Sequence, residues 1–193
     1  MSPSCKVSPG FCLLILWFAY INGWRLLGIV LAAAALHEAG HWLVLRLLGG
    51  RITAFQISVL GAVLKTDSNS FSYPGELAVV LAGPAANLLA ACLLGRVGLL
   101  TASGAHLVLA AFNLLPLWPL DGGRALELLV CWRFGPEVSF CAVRWAGVLT
   151  AAVLAGGLLY VVWYTGGSLW LLPAAVGILA AGGRSLTGNL LDT

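Results

Sequence analysis

The chain has 193 residues, of which 61% are hydrophobic and 9% charged, with a mean hydropathy of +0.99. Soluble domains carry about 25% charged residues, so this composition excludes an ordinary soluble protein and points to one whose solvent is the lipid bilayer. The formal net charge of +3 comes without a basic patch, and no nucleic-acid partner is expected.

Taken in order, the apolar runs predict an all-α polytopic membrane protein with about six transmembrane helices. A crossing needs about 20 residues, which leaves short connections and no sizeable soluble domain. The first run, Phe11 to Ile21, closes at Asn22-Gly23; no small-residue cleavage site follows, so it reads as a span rather than a removable signal. The second, Trp24 to Leu48, stops at Gly49-Gly50. The β-branched, partly alternating Ile52–Leu64 then predicts a short membrane-associated β-hairpin or sheet. Further spans are expected over Glu76–Leu94, Ser103–Leu115, Val143–Tyr164 and Leu169–Ala181, with Pro116 and Pro119 breaking the fourth. With six crossings and a cytoplasmic N-terminus, Lys6, Arg46, Arg51, Lys65, Arg124, Arg133, Arg144 and Arg184 fall on one side, against Arg25 and Arg96 on the other. That bias places both termini in the cytoplasm. The five cysteines are scattered without a C-x-x-C and read as apolar filler.

The second run contains Leu36-His37-Glu38-Ala39-Gly40-His41-Trp42, an instance of H-E-x-x-H. On a helix His37 and His41 project from one face, where two neutral imidazoles can hold one Zn²⁺ with Glu38 beside it to activate a water. The bland reading is two buried histidines satisfied by helix carbonyls. It leaves a carboxylate poorly compensated in hydrocarbon, so the charged triplet reads as a functional site. Catalytic zinc usually keeps three protein ligands, and Asp121, His106, Glu76 and Glu127 are the ionisable candidates for the third. Asp121 stands out because it follows the proline-broken stretch, and irregular backbone at membrane depth is tolerated where it lines a cavity. Its plain alternative is an interfacial pair with Arg124.

The pairing of HEAGH with Asn113-Leu114-Leu115-Pro116-Leu117-Trp118-Pro119-Leu120-Asp121-Gly122 resembles the site-2 protease family of intramembrane zinc proteases, whose second signature is N-x-x-P-x-x-x-x-D-G. Gly83-Pro84-Ala85-Ala86-Asn87 resembles a further family element. The NLLPLWPLDGG wording and the six-span layout are most similar to the stage IV sporulation protein FB branch. The resemblance implies His37, His41 and Asp121 as ligands of one zinc ion and Glu38 as general base. It implies Asn113 and Asn87 as groups that touch substrate backbone, although both could equally bond helix to helix. The strand region would extend a substrate segment by edge addition. Residues 1–193 would form a single transmembrane metalloprotease domain with its catalytic core over about 24–135, and without the CBS or PDZ domains of relatives.

The expected function is therefore an intramembrane zinc metalloendopeptidase of the bacterial cell membrane. It would cut a membrane-tethered protein substrate, such as a transcription-factor precursor in sporulation, under the control of inhibitory membrane partners. The alternative is a catalytically silent metal-binding protein or partner-binding pseudoprotease. A metal carrier would need a polar path through both halves of the bundle, and a pseudoprotease would be expected to have lost Glu38.

Overall fold

The computed structural model describes residues 5–7, 9–50, 52–58, 61–66 and 71–164. The chain divides into two units, Met1–Phe112 and Asn113–Thr193.

In the first unit, α1 (Pro9–Leu47) runs through both of the first two apolar stretches. Its ladder is interrupted at Gly23, whose φ of 80° and ψ of 157° lie in a region open to a residue without Cβ. The helix ends in a glycine-based cap: Gly49, at φ 81°, donates to the Arg46 carbonyl at 3.1 Å, and Gly50 donates to that of Leu45 at 2.9 Å. The helix α2 (Tyr73–Arg96) starts after Ser72 with Pro74 in its first turn, where a missing N–H costs nothing. Glu76 near its start and Arg96 near its end both complement the helix dipole.

Small residues let α1 and α2 approach closely. A Cβ at Gly40 would stand 2.7 Å from the Ala82 carbonyl oxygen and 3.0 Å from the Ala86 Cβ. After a turn with Gly98 at φ 79°, α3 (Leu100–Asn113) begins, and its Ser103 hydroxyl donates to the Ala91 carbonyl of α2 at 2.7 Å. This unit also holds a small mixed sheet in the order β1-β2-β3. Its strands are β1 (Cys5–Val7), β2 (Ile52–Ser58) and β3 (Gly61–Thr66), with β1 parallel and β3 antiparallel to β2.

In the second unit, the proline-rich stretch turns twice, the Leu117 N–H donating to Leu115 at 2.7 Å and that of Leu120 to Leu117 at 2.8 Å. The helix α4 (Asp121–Phe134) opens directly from this turn. After Gly135, at φ 88°, α5 (Pro136–Tyr164) follows, and the Ser139 hydroxyl donates to the Glu127 carbonyl at 2.8 Å. Leu117, Leu120 and Ala151 form a small buried core, with Leu115 against it.

Three helical segments among the described residues are long and apolar enough to cross a membrane: Ile15–Leu47, Tyr73–Arg96 and Pro136–Val161. The chain is thus an integral multi-pass membrane protein, and the expectation of six spans is corrected. The first two apolar stretches fall within one long helical segment across the Gly23 interruption. The expected fourth span is a 14-residue helix, about 21 Å long at 1.5 Å per residue against a core of about 30 Å. The sixth expected span lies outside the described residues. The expectation of a membrane-associated hairpin is corrected too: the strands belong to a three-stranded sheet completed by N-terminal residues, and among the described residues nothing ties that sheet to a bilayer. The cytoplasmic placement of both termini rested on six crossings, and three helices among the described residues are long and apolar enough to make one.

Candidate metal centre

The HEAGH motif lies on the C-terminal half of α1, and the helical repeat brings its two imidazoles together. The Nε2 atoms of His37 and His41 are 3.1 Å apart, with ring planes at 82°. Both rings are buried, at 5% and 8% exposure. Their far nitrogens are held from α2. His41 Nδ1–H donates to the Val79 carbonyl at 2.8 Å, which fixes that ring with its Nε2 lone pair turned toward His37 Nε2. Pro84, one turn onward, has no N–H for the carbonyl of Val80, so this part of α2 is a place where the helix ladder is already loosened. Gly83 is needed beside it, because a Cβ there would run into the His41 ring.

His37 is anchored by Asn87, whose carboxamide nitrogen is 3.2 Å from His37 Nδ1. Asn87 is fully buried, and its Oδ1 lies 2.9 Å from Nδ1 of His106 on α3. His106, a candidate for the third ligand from sequence, is linked to His37 through Asn87 and lies outside the cluster. Sequence reasoning missed this arrangement, although Gly83 and Asn87, four apart on one helix face, carry its signal: one makes room for a ring and the other reaches toward one.

Asp121 is the first residue of α4, where the helix dipole favours a carboxylate. The turn before it is packed backbone to backbone: a Cβ on Gly122 would strike the Leu114 carbonyl, and one on Gly123 would lie 2.7 Å from the Leu117 carbonyl carbon. His37, His41 and Asp121 each offer a ligand atom, and all three atoms lie within 4.8 Å of one another. Two imidazole nitrogens and a carboxylate oxygen form a donor set suited to zinc, and the His41–carbonyl bond is the outer support such ligands usually have. Glu38 is half-buried beside this group, and Asn113 is half-buried at the end of α3. Glu76 and Glu127 lie outside the cluster.

Fold and site together define a multi-pass membrane protein with a metal-competent His/His/Asp cluster. The chain is similar to Zinc metalloprotease MJ0392 of Methanocaldococcus jannaschii, with 30% identity over 141 residues, covering 65% of this chain and 41% of that protein. It is also similar to the putative zinc metalloprotease Rip3 of Mycobacterium tuberculosis, 28% identical over 180 residues, covering 80% of this chain and 45% of that one. Among solved structures, the site-2 protease from Methanocaldococcus jannaschii superposes with a TM-score of 0.66 at 24% identity, over 95% of this chain and 89% of that one. No family model matches. The chain is thus homologous to zinc metalloproteases and has the fold of a site-2 protease. It spans less than half the length of these curated relatives.

Proposed function

We propose that this protein is an intramembrane zinc metalloendopeptidase that hydrolyses a peptide bond in or near a membrane segment of a tethered protein substrate. The observation that carries this reading is the meeting of His37, His41 and Asp121, drawn from two separate sequence motifs, within 4.8 Å. Zinc held by these three side chains would polarise the scissile carbonyl and lower the pKa of a water toward about 7. Glu38 takes the proton of the attacking water and returns it to the nitrogen of the leaving amine. Asn113, at the end of α3, is assigned to the substrate backbone, which must leave its helical hydrogen bonds before a carbonyl is open to attack. A membrane-bound transcription-factor precursor is the substrate class that the sporulation-branch wording NLLPLWPLDGG suggests; the curated relatives are not specific to that branch.

Glu38→Gln separates chemistry from binding. Co-expressed with a panel of single-span precursors, the variant is expected to keep its zinc and lose cleavage by about 10²–10⁴-fold, the range for a general acid–base group. Wild-type cleavage rates in that variant would defeat the assignment of Glu38. Wild-type protein that binds zinc and cuts nothing in the panel would favour the partner-binding alternative.

A further inference from the structure

We infer that Asn87 is a positioning residue that ties the tautomer of His37 to that of His106, so that zinc binding sets the proton position on a histidine that never touches the metal. The inference rests on the zinc reading above. A carboxamide offers a donor on one side and an acceptor on the other. Here it is clamped between two Nδ1 atoms, that of His37 at 3.2 Å and that of His106 at 2.9 Å. All three side chains are buried, at 0%, 5% and 7% exposure for Asn87, His37 and His106, so solvent cannot readily replace either bond. One imidazole must therefore donate from Nδ1 while the other accepts there.

The two arrangements differ by a half-turn of the Asn87 amide. In one, Nδ2 donates to His37 and Oδ1 accepts from His106 Nδ1–H, which puts the His37 proton on Nε2, facing Nε2 of His41 at 3.1 Å. In the other, the Nε2 lone pair of His37 is turned to a metal and its proton sits on Nδ1. Oδ1 must then face His37, Nδ2 must face His106, and His106 must carry its proton on Nε2. Each ring keeps one proton throughout, so the exchange is neutral: His37 shifts its proton from Nε2 to Nδ1 and His106 from Nδ1 to Nε2.

The protein has three histidines, so ring-¹⁵N-histidine NMR of the full chain reads every site. With stoichiometric zinc, His37 and His41 are expected to be protonated at Nδ1 and His106 at Nε2, and chelation should reverse His37 and His106 together. A zinc-loaded spectrum with the His106 proton on Nδ1, or a His106 tautomer indifferent to zinc, would overturn the inference while leaving the zinc reading intact. Failure of the wild type to bind zinc would end both. In chelator competition, Asn87→Leu is expected to weaken zinc about 10–100-fold, the usual cost of an outer-sphere partner. Asn87→Asp, with two acceptor oxygens, should stay within a few-fold of wild type and move the His106 proton to Nδ1. Wild-type zinc affinity in Asn87→Leu would contradict the role, and should that variant fail to fold, the wild-type spectrum still decides.

Discussion

The paired histidines of the first unit and the carboxylate of the second are each held in place by different physics. In the first, ligands four residues apart converge because a helix repeats every 3.6 residues, and the rings are then aimed by α2 through Val79 and Asn87. In the second, a single carboxylate is fixed by a backbone that stops being helical, turns twice, and restarts at the ligand itself. The first arrangement is periodic and depends on neighbours for its aim. The second is irregular and depends on glycines that let main chain touch main chain.

The contrast breaks most visibly at Gly83. An added methyl there would collide with the His41 ring, so Gly83→Ala is expected to weaken zinc by about 10–100-fold, as loss of ligand orientation does. Chelator competition on the purified variant measures this, and unchanged affinity would show that the ring has room to move. Next is Gly122→Ala, which drives a Cβ into the Leu114 carbonyl. Overpacking of this kind costs about 1–3 kcal/mol, read as lowered thermal stability in detergent, whereas Gly156→Ala, with no described neighbour within 4 Å, should be nearly silent. Equal behaviour of the two variants would show that the turn before Asp121 is not tightly packed. The smallest effect is expected for Ser103→Ala, which loses the bond to Ala91 between α2 and α3. Such bonds in membrane proteins average about 0.6 kcal/mol, so a loss above about 2 kcal/mol would mean that Ser103 holds more than this one contact.

The same contrast explains what the sequence could disclose. The pairing of His37 with His41 is legible because their relation is local and helical. Asp121 is legible because Pro116, Pro119, Gly122 and Gly123 mark broken backbone around a lone carboxylate. The bond from Asn87 to His106 was not legible: it joins residues 19 apart on two different helices, and no periodicity records which faces meet. Span number misled for a similar reason. An apolar run shows that a segment avoids water without showing whether it is a full crossing. Gly23 does break the helix, as its sequence suggests, but the two helical pieces join at a kink within one long segment instead of being parted by a loop. The 14 residues of α3 are as apolar as a span yet too short to be one.

Every step of the proposed chemistry depends on two imidazoles and one carboxylate holding a single zinc ion. X-ray absorption at the zinc edge of purified, zinc-loaded protein reads that donor set itself. One zinc per chain is expected, with two imidazole nitrogens and oxygen donors at about 2.0–2.2 Å, and with the oxygen shell altered in Asp121→Ala. A sulfur shell at about 2.3 Å, or a spectrum unchanged in Asp121→Ala, would contradict it.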